Sequence, residues 1–315
     1  MNTKINTLKQ ELNKVVIGQE MMIEGLLIGL LCDGHILVEG VPGLAKTTTI
    51  NALSKALGLD AKRIQFTPDL LPSDIIGAQI YNPQTHSFSV KKGPLFTNLL
   101  LADEINRAPA KVQSALLEVM QERQITIGDE TYTLESPFLV MATQNPIEQE
   151  GVYALPEAQL DRFMMKLIVT HNSEEEEVEI MRKAANKSFA QIETVLTIED
   201  LHTLQKELKD IHIDEEIERY IVQLITATRE PTRFGLDAHA SSIMFGASPR
   251  ASIDLYKASR AQAFLKGKTF VSPSDIADVI HKVLRHRIVL SYEARAQGMN
   301  SDEIITAIVE TLAVP

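Results

Sequence analysis

A loop that carries glycines and a lysine could hold the phosphates of a nucleotide. Gly40, Lys46 and Thr47 fit the pattern G-x-x-x-x-G-K-[ST], in which backbone N–H groups, a helix N-terminus and a lysine bind phosphate oxygens. Ala45 stands where this pattern has its second glycine, so the match is less specific than a full one. Ala45 fits if it already has the φ of a right-handed helix, which leaves Gly43 to take a positive φ. An ordinary turn with a surface lysine is the alternative.

Two acids, Asp103 and Glu104, follow an apolar run at residues 99–102 that predicts a buried strand. We expect this strand to neighbour the strand before the loop, because open α/β sheets bind ligands at the carboxyl ends of their strands. Asp103 would then hold Mg²⁺ together with the Thr47 hydroxyl, since Mg²⁺ prefers hard oxygen ligands. Glu104 would orient and deprotonate a water for in-line attack on the γ-phosphate. The alternative is a pair of solvated carboxylates.

An amide and two arginines could act on the same phosphate. Asn145 follows another apolar run, and its side chain could donate to the γ-phosphate and accept from the attacking water, although an asparagine before a proline is also a common turn residue. Arg250 lies in the first turn of a predicted helix, where a cation opposes the helix dipole, so we expect a γ-phosphate contact. Arg162 could act on the site of a neighbouring subunit. For either arginine the alternative is a surface salt bridge.

Short apolar runs on consecutive positions predict strands that are covered on both faces. These strands are 35–38, 63–66, 98–102, 138–142 and 166–169. Apolar residues at helical spacing predict helices between and after the strands. The predicted helices are one from the loop to Gly58 and those at 3–16, 19–32, 110–121, 173–187, 198–209, 214–230, 249–266, 273–287 and 301–312. The alternation of strands and helices predicts an α/β fold with a parallel sheet.

Two stretches of alternating apolar residues interrupt this repeat, at 75–92 and 124–135, and each predicts a β-hairpin. The pattern alone leaves surface decoration as an equal alternative. No strand signal follows residue 170, so we place a domain boundary near residue 190. Residues 1–190 would form the α/β core, and residues 191–315 would form a small all-α domain.

Length and composition set broad limits. A chain of 315 residues suggests two domains, and 31 basic against 42 acidic residues, a net charge of −11, argue against nucleic acid as the main partner. No apolar run is long enough to span a membrane, and the first residues lack an apolar signal core, so we expect a cytoplasmic protein. The single cysteine, Cys32, is expected in the core. The eight histidines have no ligand spacing, so no transition-metal site is predicted.

Five segments together resemble the motifs of MoxR-type AAA+ ATPases, in the order in which that family has them. They are residues 40–47, 93–109, 142–146, 155–163 and 246–250. An alanine before the lysine is usual in this family, so the departure at Ala45 supports the resemblance. The family belongs to the helix-2-insert clade and is related to the AAA+ subunits of magnesium chelatase. The resemblance covers nearly the whole chain.

The resemblance implies a role for each motif. Residues implied for Walker A and for nucleotide binding are Gly40, Val41, Pro42, Gly43, Leu44, Ala45, Lys46, Thr47 and Thr48. Asp103 and Glu104 resemble Walker B, and Asn145 resembles sensor 1. Arg162 resembles the arginine finger, and Arg250 resembles sensor 2. The segment beside the adenine is implied at Val16, Ile17 and Gly18.

The resemblance further implies a P-loop core with a five-stranded parallel sheet, a helical lid domain and a hexameric ring that hydrolyses ATP with Mg²⁺. The two hairpins would be the helix-2 insert and the pre-sensor-1 hairpin, which face the pore or the rim of the ring. Such proteins act as chaperones that mature partner complexes or insert metal into them, often with a von Willebrand factor A domain protein. We therefore predict an ATP-driven motor that remodels a protein client.

Two other functions are compatible with parts of the sequence. A DNA-engaged motor resembles replicative helicases of the same clade, but the acidic balance and the lack of an appended nucleic-acid module argue against it. A scaffold that binds nucleotide and a partner with negligible turnover is the non-enzymatic alternative. The complete set of catalytic residue types argues against the scaffold.

Overall fold

A five-stranded parallel sheet forms the centre of the α/β part in a computed structural model that describes residues 3–84, 86–146, 153–186 and 189–315. The strands, numbered along the chain, are β1 (Ile36–Glu39), β2 (Ala61–Gln65), β3 (Gly77–Asn82), β4 (Ser87–Lys92), β5 (Leu99–Asp103), β6 (Gln124–Ile127), β7 (Glu130–Thr133), β8 (Leu139–Gln144), β9 (Met165–Ile168), β10 (Ile243–Phe245) and β11 (Val289–Leu290). Across the large sheet the order is β2-β5-β8-β1-β9. The predicted parallel sheet is confirmed.

The order of the strands corrects one expectation. β8 pairs with β1 on one side and with β5 on the other, so the strand that carries Asp103 does not neighbour the strand before the loop. The apolar pattern of a strand shows that both its faces are covered, but it carries no information about which strand lies beside it. β5 and β8 are buried along almost their whole length, as strands between two helical layers must be.

Helices cover both faces of the sheet and make up most of the chain after β9. They are α1 (Thr3–Asn13), α2 (Glu20–Cys32), α3 (Lys46–Leu57), α4 (Pro72–Ile76), α5 (Ala110–Glu122), α6 (Glu157–Leu160), α7 (Glu174–Ala185), α8 (Ile198–Leu208), α9 (Glu215–Ala227), α10 (Asp237–Ala240), α11 (Pro249–Leu265), α12 (Pro273–Leu284), α13 (Tyr292–Ala296) and α14 (Ser301–Thr311). Every predicted helix is present. α4, α6, α10 and α13 are too short to show helical periodicity, so the sequence did not predict them.

Side-chain caps fix where several of the long helices begin. The Ser173 hydroxyl accepts a hydrogen bond from the Glu176 N–H at the start of α7, and the Glu176 carboxylate accepts from the Ser173 N–H, which together form a capping box. The Ser248 hydroxyl accepts from the Arg250 N–H and begins α11 in the same way. These caps place Arg250 in the first turn of α11, as the sequence predicted.

Both predicted hairpins are present. β3 pairs with β4, and β6 pairs with β7, in two separate antiparallel pairs outside the large sheet. Tyr81 and Phe88 lie opposite each other on the first hairpin with their rings 5.2 Å apart, and both side chains are exposed. Residue 85, at the turn of this hairpin, lies outside the described residues. The orientation of the hairpins toward a pore stays a prediction.

The C-terminal part is mainly helical, and it also contains a short antiparallel pair of β10 and β11. Strands of three and two residues are too short for an alternating pattern, so this pair corrects the expectation of an all-α region. The Val195 N–H donates to the Ala56 carbonyl, so the chain just after the proposed boundary packs back on α3. The boundary near residue 190 stays a prediction. Among the described residues, no helix is long and apolar enough to cross a membrane.

Candidate active site

The loop between β1 and α3 borders a cavity together with Thr143 and Asn145, at the carboxyl end of β8. Gly43 has φ +89°, as predicted. Ala45 has φ +55°, so the expectation of a right-handed φ at this residue is wrong. Ala45 directly precedes α3, and its left-handed conformation lets the chain change direction from the loop to the helix within one residue. A Cβ on Gly40 would lie 2.7 Å from the Val169 carbonyl oxygen, so only glycine lets the loop pass this close to the end of β9.

The loop borders a cavity of about 340 Å³, called here the phosphate cavity. The described residues that line it are Gly40, Pro42, Gly43, Ala45, Lys46, Thr47, Thr48, Arg63, Gln65, Asp103, Glu104, Thr143 and Asn145. Most predicted nucleotide-binding residues are therefore brought together. Within the predicted loop, residues 40–48, Val41 and Leu44 do not line the cavity, because their side chains pack against the apolar core instead.

Lys46 is partly buried beside the acids that the sequence predicted as its partners. Burial lowers the pKa of the Lys46 ammonium, while Asp103, Glu104 and Glu39 act in the opposite direction. The Lys46 ammonium donates to the Gly40 carbonyl at 2.5 Å. A partly desolvated cation that faces a concave loop of N–H groups can bind an anionic group such as a phosphate.

Asp103 is held at the carboxyl end of β5 by contacts to both of its carboxylate oxygens. Arg63 on β2 donates to Oδ2 from Nη2 at 2.6 Å and from Nε at 3.2 Å. The Thr143 hydroxyl donates to Oδ1 at 2.6 Å. The same hydroxyl accepts from the Glu104 N–H at 2.8 Å, so Thr143, on the strand between β1 and β5, fixes the positions of both acids.

Glu104 has φ +55°, which turns its side chain out of the strand direction and into the phosphate cavity. The Gln65 amide donates to its Oε2 at 2.7 Å, and Arg107 donates to the same oxygen at 3.1 Å. Asn145 follows β8 directly and is buried, and it lines the cavity on the side of the loop. A carboxylate and an amide that face the same space are the groups that the predicted water activation requires.

The residues predicted for Mg²⁺ fit that ion. The Thr47 side chain and the Asp103 carboxylate line the same cavity, beside the lysine that would bind the adjacent phosphates. Both offer oxygen atoms, which Mg²⁺ prefers, and two protein ligands leave its remaining positions for phosphate oxygens and water. Among the described residues no group of histidine, cysteine and acidic side chains forms a metal cluster.

Arg162 and Arg250 lie away from the phosphate cavity. Neither is among the described residues that line it, and both line a second cavity of about 410 Å³ together with Arg123, Asp254 and Lys257. Arg250 therefore does not line the phosphate cavity of its own subunit, and its γ-phosphate contact stays a prediction. The cause is the position of α11, whose first turn is tied to the segment before β9. The Arg250 Nη1 lies 3.4 Å from both the carbonyl oxygen and Oδ2 of Asp161.

Val16, Ile17 and Gly18 pack against the segment that follows β9. The Asn172 amide donates to the Ile17 carbonyl at 2.8 Å, and Gly18 has φ +69°. None of the three is among the residues that line the phosphate cavity. Their position beside an adenine stays a prediction.

Three residues of the site were not predicted from the sequence. Arg63, Gln65 and Thr143 contact the two acids. Gln65 and Thr143 lie near the carboxyl ends of β2 and β8, and Arg63 lies in the middle of β2. A polar residue near the carboxyl end of a predicted strand was the feature of the sequence that could have pointed to the site, because ligands of open α/β sheets bind there. The signal became specific only when the strand order was known.

Comparisons with known proteins agree with this geometry. Residues 35–165 match the family described as the ATPase family associated with various cellular activities (AAA), and residues 236–308 match the AAA lid domain. The chain is 46% identical to the chaperone MoxR1 of Mycobacterium tuberculosis, over 99% of this chain and 83% of MoxR1. A crystal structure from Cytophaga hutchinsonii, described provisionally as an ATPase, is 52% identical with a TM-score of 0.94 and covers 99% of this chain and 95% of its own.

The fold and the site, with these matches, define an AAA+ enzyme that binds and hydrolyses nucleoside triphosphate. Within that class the chain belongs to the MoxR family of AAA+ ATPases, which confirms the resemblance of the motifs. A magnesium-chelatase subunit, ChlI-1 of Arabidopsis thaliana, is 28% identical over 79% of this chain and 55% of its own length, which confirms the more distant relation.

Proposed function

We propose that this protein is a ring-forming motor in which ATP hydrolysis drives the remodelling of a protein client. The observation that carries this proposal is the separation of two sets of residues. Lys46, Asp103 and Glu104 line the phosphate cavity, whereas Arg162 and Arg250 line a different one. Arg162 and Arg250 would complete such a site when a second copy of the chain supplies them.

The chemistry follows from the residues of the phosphate cavity. Backbone N–H groups of the loop and the Lys46 ammonium bind the β- and γ-phosphates. The Glu104 carboxylate accepts a proton from water, and the Asn145 amide orients that water and the γ-phosphate. Mg²⁺ bound at Thr47 and Asp103 would neutralise charge on the phosphate oxygens. Arg63 and Thr143 hold the Asp103 carboxylate in place.

The two arginines would act on the ATP of a neighbouring subunit. Arg162 and Arg250 line one cavity, so a γ-phosphate that enters it meets two guanidinium groups. Guanidinium groups supplied from a second chain stabilise the charge of the transition state without being part of the binding site for the substrate. A hexamer is the ring that we propose.

The proposed client is a protein, because MoxR1, which is 46% identical to this chain, is named a chaperone. Exposed apolar side chains of the first hairpin, Ile80, Tyr81 and Phe88, offer a surface that a polypeptide could contact. A client with a von Willebrand factor A domain, metal insertion into a partner complex and a cytoplasmic location are further parts of this proposal.

Mixing two inactive variants tests whether the active site is shared. Arg162→Ala leaves the phosphate cavity intact, and Glu104→Gln leaves the arginines intact, so each should bind ATP and fail to hydrolyse it. Mixed rings should contain sites that pair an unchanged Glu104 with an unchanged Arg162, and these should hydrolyse ATP. Hydrolysis is measured as phosphate release over a range of mixing ratios, and sedimentation with ATP measures the ring mass. Absence of restored activity at every ratio would contradict a shared site.

Capture of the client tests the remodelling part of the proposal. Glu104→Gln with ATP should retain a protein partner that is released when the nucleotide is removed. The matched control is a variant that also carries Lys46→Ala, which should not bind ATP and should retain nothing. Equal retention by both variants would show that the captured protein is not an ATP-dependent client.

A further inference from the structure

We propose that Arg287 is a positioning residue that joins Arg162 and Arg250 into one rigid unit. Arg287 lies just after α12, in the C-terminal helical part, whereas Arg162 lies just before β9 of the large sheet. The packing of the helical part against the sheet would thereby decide whether a neighbouring subunit's ATP is cleaved. This inference rests on the proposed function, in which Arg162 and Arg250 act on that neighbour's ATP.

Arg287 holds the backbone on both sides of Arg162. Its side chain is 1% exposed. Its Nη2 donates to the Phe163 carbonyl at 2.8 Å and lies 3.3 Å from the Asp161 carbonyl oxygen. These two carbonyls flank the Arg162 residue directly in sequence. The imidazole Nε2 of His286 contacts the same Phe163 carbonyl at 2.9 Å. Two consecutive residues of the helical part, His286 and Arg287, therefore contact the segment that contains Arg162.

Arg287 also pairs with two carboxylates that belong to different elements. Its Nε lies 2.9 Å from Oδ1 of Asp161, and its Nη2 donates to Oδ2 of Asp254 at 2.5 Å. Asp254 lies one turn after Arg250 on α11, so this ion pair fixes the helix that carries Arg250. One guanidinium group therefore contacts the segment of Arg162 and the helix of Arg250 at the same time.

A second set of contacts connects Asp161 to Ser248 and Arg250 at the start of α11. The Ser248 hydroxyl donates to Oδ2 of Asp161 at 2.9 Å, and the Arg250 Nη1 lies 3.4 Å from the same oxygen. Asp161 is thus shared between buried Arg287 and Arg250, whose side chain lines the second cavity. Burial raises the pKa of the Asp254 carboxyl, while the charge of Arg287 acts against that rise.

The chemistry of the guanidinium group explains why an arginine stands at this position. Its planar fork can reach two carboxylates and two carbonyls in fixed directions, whereas a lysine ammonium is a point charge on a flexible stem. Arg287→Lys keeps a positive charge beside the half-buried carboxylates of Asp161 and Asp254. The substitution loosens the geometry that Arg287 imposes on Arg162 and Arg250.

Steady-state kinetics of Arg287→Lys give the first part of the test. The expected result is a kcat that is lower by about 10- to 100-fold with little change in KM for ATP, because misplacement of a transition-state group by about 1 Å costs up to this much. The matched control is Arg285→Lys. Arg285 is also largely buried near the end of α12, but it pairs with Asp302 and the Lys166 carbonyl and does not contact the Arg162 segment. Its kcat should stay close to that of the unchanged protein.

Mixing supplies the readout that a purely structural role would not give. Arg287→Lys mixed with Glu104→Gln should restore hydrolysis, because one variant keeps an intact phosphate cavity and the other keeps intact arginines. Arg287→Lys mixed with Arg162→Ala should restore none, since both lack a functional arginine pair. Should Arg287→Lys fail to fold, Asp254→Asn removes the negative charge from the contact to α11 with little change in size and is expected to give the same pattern.

The outcomes separate the two proposals. Restored activity with Arg162→Ala and Glu104→Gln, but none with Arg287→Lys and Glu104→Gln, would overturn the role of Arg287 and leave the shared site standing. No restored activity in either mixture would overturn the shared site and the role of Arg287 with it. Unchanged kcat in a folded Arg287→Lys variant would also overturn the inference.

Discussion

A single side-chain group, the Thr143 hydroxyl, contacts both acids of the site. It donates to the Asp103 carboxylate and accepts from the Glu104 N–H, so one side chain sets both the proposed metal ligand and the proposed base. Groups that orient metal ligands in this way commonly affect activity almost as strongly as the ligands themselves.

Thr143→Val should therefore impair hydrolysis while preserving the shape of the core. Valine has nearly the same volume, but it leaves the Asp103 oxygen and the Glu104 N–H without their partner. We expect kcat for ATP to fall by about 10- to 100-fold. The matched control is Thr97→Val, because the Thr97 hydroxyl is buried without a hydrogen-bond partner among the described residues. If Thr97→Val reduced kcat as much as Thr143→Val, the specific role of Thr143 would be wrong.

Residue types predicted the chemistry better than they predicted conformations or contacts. The lysine and both acids were identified because their functional groups and spacing carry the information. Ala45 was assigned the wrong φ, because its conformation depends on how the whole loop turns into α3. Arg250 lies in the predicted helical turn, but it lines a cavity other than the phosphate cavity, where it contacts Asp161, a residue far away in sequence.

The start of β1 shows how a buried residue links elements. His35 accepts at Nδ1 from the Val140 N–H of β8, at 3.0 Å, and its Nε2 lies 2.9 Å from the Met120 carbonyl of α5. The imidazole can satisfy both contacts only in its neutral form, with the proton on Nε2. Burial and the nearby charge of Arg123 lower the pKa of His35 to about 3, although the contact with the Met120 carbonyl opposes them.

His35 should make the fold less stable as the pH falls. Its pKa lies at about 3 in the folded chain and near 6.5 in the unfolded chain, so between these values only the unfolded chain binds the proton. The free energy of unfolding should therefore decrease as the pH is lowered through this window, by up to about 1.4 kcal/mol per pH unit from His35. Urea unfolding at several pH values measures the slope.

The variant His35→Gln isolates the contribution of His35 to this pH dependence. His35→Gln should show a shallower slope between pH 6.5 and 4, whatever its stability at neutral pH. Buried His286, whose pKa is also lowered by burial, should leave part of the slope in place. His171→Gln, at an exposed position, is the matched control and should keep the original slope. An identical slope in His35→Gln and in the unchanged protein would contradict this account.

Elements were predictable where their patterns repeat over enough residues. Long helices such as α5 and α12 bury one face, and that face recurs every three or four positions in the sequence. Four strands of the large sheet, β1, β5, β8 and β9, are short and largely apolar runs, whereas the edge strand β2 carries Lys62, Arg63 and Gln65. β10 and β11 offer no such repeat, since their pairing is fixed by the helices that bring them together. The order of the strands likewise depends on the connections and not on any strand alone.

In the whole molecule, the groups that we propose for hydrolysis are divided between two cavities. One holds the lysine, the acids and the amide, and the other holds Arg162 and Arg250. Arg287 ties the second set to both the sheet and the helical part. The sequence alone could assign each arginine to a motif, but only the packing of the two parts shows that both arginines line a cavity other than the phosphate cavity.

The central claim is that Glu104 prepares water to cleave an ATP that the loop already holds. Glu104→Gln tests it most directly, because the amide keeps the size of the side chain and cannot accept the proton. We predict that ATP still binds with an affinity close to that of the unchanged protein, while the rate of phosphate release falls by about 100-fold or more. A Glu104→Gln variant that binds ATP and releases phosphate at the normal rate would contradict the account.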